Sequence, residues 1–212
     1  KIGWMIGGLA MASLTLAILL VRSPGPVRIT LHDVTPQTQI TFQHTDGGCG
    51  RYYIMETVSA GLALLDYDGD GLIDIYFLNG APLPGCTAET TPRNALYRNL
   101  GECRFADVTQ QAGVGDPGYA LGVVAGDYDN DGDLDLFVNN YGPDVLYRNR
   151  GDGTFENLAA PAGVSGGGSV GAGAAFLDAD RDGDLDLFVA NYLEFSEDQH
   201  LAPTTRGVPV YV

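Results

Sequence analysis

Apolar and polar residues alternate with a period of two through much of this chain, in short runs broken by Gly, Asp and Asn. Side chains two apart share one face of an extended strand, so such runs predict short β-strands. The clearest stretch predicts four of them, over 121–125, 134–139, 145–149 and 154–158. The last three are separated by Tyr141-Gly-Pro-Asp144 and by Arg150-Gly-Asp-Gly153, the second a hairpin-type turn. Earlier, Ile73, Ile75 and Phe77 alternate with Leu72, Asp74 and Tyr76 in the same way. The pattern changes at the start of the chain. Residues 2–21 carry no charge and are bracketed by Lys1 and Arg22. At about 1.5 Å per residue, a helix of that length spans a hydrocarbon core of about 30 Å. Leu19-Leu-Val-Arg-Ser23 offers no small-residue cleavage site. Residues 1–24 are therefore expected to be an uncleaved membrane anchor, with a signal peptide as the alternative. Either would export residues 25–212.

The strands belong to a repeat with a period near fifty residues. Leu96-Tyr-Arg-Asn99 recurs as Leu146-Tyr-Arg-Asn149, and Ala112-Gly-Val114 as Ala162-Gly-Val164. Gly101 and Phe105 match Gly151 and Phe155, and Asp33-Val-Thr35 echoes Asp107-Val-Thr109. The repeats run roughly over 40–105, 106–155 and 156–212, with an insertion rich in Pro and Thr at 81–93. Four short strands per repeat of this length describe the blade of a β-propeller, whose four-stranded antiparallel sheets stack around a central axis. The expected fold is all-β. The third repeat lacks its Leu-Tyr-Arg-Asn strand, so the chain encodes about three blades. A propeller closes with four or more, so these blades are expected to form part of a larger ring.

Before the second strand of each repeat comes an acidic nonapeptide, D-x-D-x-D-G-x-x-D. The three copies place Asp at 66, 68, 70 and 74, at 127, 129, 131 and 135, and at 178, 180, 182 and 186. Carboxylates at positions 1, 3, 5 and 9 suit a hard cation that takes six to eight oxygens, and the glycine at position 6 allows the sharp reversal. Position 7 is expected to add a backbone carbonyl, from Leu72, Asp133 and Asp184. One Ca²⁺ per loop, three in all, is the expected cofactor. An EF-hand is excluded, because position 12 holds Phe77, Val138 and Val189 where that motif needs a bidentate Glu, and the flanks read as strands. Acidic surface turns without metal are the bland alternative. Against them stands the mutual repulsion of four or five carboxylates within nine residues.

The formal charge is −16, and the loops hold fourteen of the 27 acidic residues. With eleven Lys plus Arg and no basic cluster, no nucleic-acid partner is expected. The three cysteines, Cys49, Cys86 and Cys103, have no zinc spacing. One disulfide and one thiol are expected after export, by Cys86–Cys103 or, equally permitted, Cys49–Cys86. His32, His44 and His200 are scattered and stand in no catalytic motif.

Together the D-x-D-x-D-G-x-x-D loops, Leu-Tyr-Arg-Asn followed by Gly-x-x-x-Phe, and Asp-Val-Thr before Ala-Gly-Val resemble the FG-GAP/VCBS repeats of integrin α-subunit propellers. They are similar above all to the cartilage acidic protein family and its bacterial relatives, over roughly residues 29–212. The resemblance implies a seven-bladed propeller whose calcium loops rigidify blade hairpins while partners bind across a propeller face. It implies a non-enzymatic scaffold outside the cytoplasm that binds a protein or carbohydrate ligand, and the uncharged run at 2–21 adds the expectation of a membrane tether. A propeller-based lyase or hydrolase is the alternative. Fold-level likeness alone does not choose between them.

Overall fold

Within each four-stranded meander the strands follow one another in space as they do in sequence. The computed structural model describes residues 30–58, 61–167, 169–195 and 204–209, so the expected membrane segment over 1–24 lies outside them. No helix among the described residues is long and apolar enough to cross a membrane. The chain divides into residues 1–33 and 34–212, and the second unit carries the sheets. Its first sheet is the antiparallel meander β1 (Leu62–Leu65), β2 (Asp74–Phe77), β3 (Ala95–Asn99) and β4 (Phe105–Asp107). A second meander repeats it with β5 (Tyr119–Gly126), β6 (Asp135–Tyr141), β7 (Val145–Asn149) and β8 (Phe155–Asn157). A third begins with β9 (Ser169–Leu177) and β10 (Asp186–Glu194). The first strands of successive sheets are neighbours, β1 against β5 and β5 against β9. This is the arrangement of propeller blades.

Between the first two blades lies the main core, with Leu65, Tyr76 and Leu96 on one side and Leu136, Val138 and Tyr147 on the other. A second layer packs Phe137 and Leu146 against Ala174, Phe176 and Leu187 of the third blade. The middle blade is thus covered on both faces, and β6 is buried at every residue from Asp135 to Asn140, the polar Asp135, Asn139 and Asn140 included. In β2 the buried face is the one bearing Asp74 and Tyr76, while Ile75 and Phe77 are only half-buried. Tyr76 tolerates complete burial because its hydroxyl donates to the Val114 carbonyl at 2.8 Å. That carbonyl belongs to the turn after α1 (Thr109–Ala112), which ends at Gly113 in the left-handed region. The repeated Asp-Val-Thr and Ala-Gly-Val motifs bracket this turn. Asp107 accepts the Thr109 N–H at 3.0 Å, and the Thr109 hydroxyl accepts the Leu96 N–H at 2.9 Å.

Ahead of the first blade, residues 41–58 run as a strap across its end. Thr45 donates its N–H to Asn79 Oδ1 at 2.9 Å, and its carbonyl accepts the Gly80 N–H at 3.0 Å. The strap's Tyr53 and Met55 are buried with Leu83 of the insertion, Tyr119 of β5 and Val170 of β9. A Cys49–Cys86 disulfide ties strap to insertion, with Cα atoms 5.6 Å apart. Cys86–Cys103, the other pairing that the sequence permits, does not form, because Cys103 is an exposed free thiol in the β3–β4 turn. Strap and insertion meet only in three dimensions, and that meeting selects Cys49.

Candidate metal centre

Each acidic nonapeptide is the turn of the hairpin joining a blade's first two strands, in one register throughout. Leu65 pairs with Asp74, Gly126 with Asp135 and Leu177 with Asp186. Position 1 folds the loop around itself. Asp66 accepts the N–H groups of Asp70 and Gly71 at 3.1 and 2.9 Å, and Asp127 those of Asp131 and Gly132 at 3.1 and 3.0 Å. Asp178 accepts from Arg181 and Gly183 at 2.7 and 3.3 Å. The position-6 glycines Gly71, Gly132 and Gly183 take φ of 84, 96 and 98°, where a Cβ would crowd the backbone.

Position 9 anchors the loop to the sheet. Asp74 accepts the Tyr67 N–H at 3.1 Å on one oxygen and the Asn99 N–H at 2.7 Å on the other. Asp135 does the same with Tyr128 at 3.1 Å and Asn149 at 2.8 Å. Both carboxylates are fully buried. Asp186 accepts from Ala179 at 3.0 Å and is exposed. Burial holds Asp74 and Asp135 above the usual carboxylate range, Asp135 up to about 6. The backbone donors pull the other way, and neighbouring aspartates add to the upward push. Burial also raises Asp129, with Asp131 adding to it.

Side-chain oxygens converge in each loop. Those of Asp66, Asp68 and Asp70 lie within 4.8 Å of one another, as do those of Asp127, Asp129 and Asp135 and those of Asp178, Asp180 and Asp186. Asp74, Asp131 and Asp182 stand outside these triads. Asp131 and Asp182 accept the N–H of the position-7 residues Asp133 and Asp184, both at 3.0 Å, and Asp70 accepts that of Leu72 at 2.9 Å. At position 7 the Leu72 side chain is partly exposed, and Asp184 turns outward to accept Asn130 Nδ2 of the neighbouring loop at 2.8 Å. The donor set is entirely oxygen, which fits a hard divalent ion. Asp68 Oδ1 fits it too, being shut off from solvent with no hydrogen-bond donor.

Residues beyond the nonapeptides complete the site. Asn149, fully buried, donates its side-chain amide to the Leu134 carbonyl of its own loop at 3.2 Å and to Tyr67 of the preceding blade's loop at 2.8 Å. Asn99 donates likewise to Ile73 at 2.9 Å. Arg98, one residue earlier, places its guanidinium on Asp68 and Asp70. The recurrence of Leu-Tyr-Arg-Asn was the available signal. It marks a strand whose final Asn serves the acidic loop in both blades and whose Arg reaches that loop's carboxylates as an ion pair in the first, roles visible only once the third strand lies beside the second. Of the histidines, His32 and His44 are exposed, and His200 lies outside the described residues.

A profile of the FG-GAP-like repeat matches residues 66–138 and again 127–189, each match running from the first Asp of one loop into the second strand of the next blade. Cartilage acidic protein 1 of Homo sapiens is 36% identical over 135 residues, covering 62% of this chain and 20% of that protein. The Mus musculus and Xenopus tropicalis proteins of the same name are 34% and 30% identical over 135 residues, covering 62% of this chain and 21% of each. The chain thus spans about a fifth of the length of these curated relatives.

Proposed function

The chain belongs to the family of FG-GAP-like repeat proteins, and from that premise we propose that it is a calcium-stabilised propeller scaffold working outside the cytoplasm. The observation that carries the reading is the convergence of carboxylates in three hairpins of identical register. Asp66, Asp68, Asp70 and Asp74 would hold the first ion with the Leu72 carbonyl. Asp127, Asp129, Asp131 and Asp135 would hold the second with that of Asp133, and Asp178, Asp180, Asp182 and Asp186 the third with that of Asp184. Bound Ca²⁺ supplies the positive charge that these crowded carboxylates lack. The protein supplies a turn whose backbone N–H groups already orient the position-1 and position-9 oxygens.

The rest of the reading builds on the fold. The blades are about three of a seven-bladed ring, one face of which binds a protein or carbohydrate ligand. Support for export comes from the Cys49–Cys86 bond, which persists in oxidising compartments. The membrane tether rests on the uncharged run at 2–21. Asp116 and Asp144 line one cleft and His44 another. The two aspartates, however, are held by the Asn139 and Asn140 amides, and the carboxylates that recur from blade to blade converge in hairpin turns. The scaffold reading is therefore preferred to the lyase or hydrolase. Calorimetric titration with Ca²⁺ tests the proposal. One ion per loop should bind, with dissociation constants on the order of 10⁻³ M or tighter, and the melting temperature should rise. Absence of binding heat, or equal preference for Mg²⁺, would refute it.

A further inference from the structure

The three loops share the D-x-D-x-D-G-x-x-D motif but not an electrostatic setting. On β3, Arg98 brings Nε to 2.6 Å from Asp68 Oδ2 and a terminal nitrogen to 3.1 Å from Asp70 Oδ2. The Nε contact is an ion contact without hydrogen-bond alignment. The guanidinium therefore rests on the carboxylates at positions 3 and 5 of the first loop. Its counterpart in the second blade behaves differently. Arg148 lies toward Glu156 at 3.9 Å, which Arg150 also approaches at 3.0 Å. The cross-strand register supplies the reason. Arg98 stands opposite Ala106 on β4, whereas Arg148 stands opposite Glu156 on β8. A carboxylate across the strand holds the second arginine short of ion-pairing distance from its loop, where its charge still favours the ionised form of Asp129, and an alanine leaves the first free to fall onto the aspartates. In the third loop no ion pair reaches Asp178, Asp180 or Asp182 among the described residues.

We propose that Arg98 is a built-in counter-cation that makes the first loop a weaker calcium site than the second and less dependent on the ion for its shape. The residue at the cross-strand position, Ala106 or Glu156, decides whether a loop is self-neutralised. The inference rests on the calcium reading above. An ion entering the first loop must displace the guanidinium from two carboxylates or share them with a like charge. Either weakens binding. Without the ion, the same contact relieves the repulsion among Asp66, Asp68 and Asp70. The blades then differ in kind: one keeps its hairpin at low calcium, and the next tightens only when calcium is present.

Terbium luminescence reads the loops separately, because position 2 is Tyr67 in the first and Tyr128 in the second, whereas the third has Ala179. In a Tyr128→Phe background only the first loop carries a sensitising tyrosine, and in Tyr67→Phe only the second. Calcium competition against Tb³⁺ on the full chain should show the first loop binding less tightly than the second. Arg98→Met and Ala106→Glu should each tighten the first loop by about tenfold, and Glu156→Ala should weaken the second. In metal-stripped buffer Arg98→Met should also lower the melting temperature, by about 2 °C for a pair this exposed, and Arg148→Met should lower it less. Unchanged or weaker binding in Arg98→Met and Ala106→Glu, with ions still entering the loops, overturns this inference and leaves the calcium reading standing. Failure of any loop to take an ion defeats the calcium reading and the inference with it.

Discussion

Replacing Asn149 by alanine should cost more stability than the same change at Asn99, although the two occupy the same place in successive blades. The Asn99 side chain makes two hydrogen bonds, to the Ile73 carbonyl at 2.9 Å and from the Gly101 N–H at 2.9 Å, in a half-buried setting. The Asn149 side chain makes three. It accepts the Gly151 N–H at 3.1 Å and donates to Leu134 at 3.2 Å and to Tyr67 at 2.8 Å, and it is completely buried. Each bond contributes about 1 kcal/mol net, and a buried partner left without water costs about 1–3 kcal/mol. Asn99→Ala is then worth about 1–2 kcal/mol and Asn149→Ala about 3–5 kcal/mol, the excess arising from the Tyr67 carbonyl orphaned between blades. Urea titrations followed by tyrosine fluorescence, in chelator so that ion binding does not enter, measure both. Equal losses would refute the argument by showing that the inter-blade bond is replaced by solvent. A double-mutant cycle with Phe155→Leu, whose ring stacks on Tyr67 across the same boundary, should show coupling between the two positions.

Two further outcomes follow from the cysteines and from the buried carboxylates. Under non-reducing conditions Cys103 should react with an alkylating reagent while Cys49 and Cys86 appear as one linked peptide. Cys86→Ser should destabilise by about 4 kcal/mol in the chain-entropy picture, given the 37-residue separation; labelling of all three thiols would contradict the pairing. The pH dependence of the metal-free protein should run opposite to that of most proteins in its acidic range. Asp135 has a folded pKa pushed up to about 6, above its ordinary value, so its contribution is fully present below about pH 4 and is lost as pH rises through about 6. Calcium, which binds the ionised form, should reverse that slope, and Asp135→Asn should flatten it. Melting curves from pH 4.5 to 7 in metal-stripped buffer check this, and stability that climbs steadily with pH would disprove it.

The hairpin turns were legible in the sequence because everything that forms them lies within nine residues. A position-6 glycine with φ near 90° and a position-1 carboxylate reaching two N–H groups three to five residues on are consequences of local backbone geometry, so the spacing alone specified them. The fifty-residue repeat was equally open to reading, since strand, turn and strand recur in order. Which faces are buried was not. The alternation in β2 gives no hint that Asp74 and Tyr76 point inward, and Leu62 and Leu64 remain 51% and 60% exposed despite being leucines. Burial depends on which sheet stacks on which, and that is settled between blades and not along a strand. The same holds for Asn149, for the choice of Cys49 over Cys103, and for Arg98, whose position turns on an alanine eight residues later. Each of these joins residues that only the stacked or hydrogen-bonded sheets bring together, and a sequence read along its length carries no distance across them.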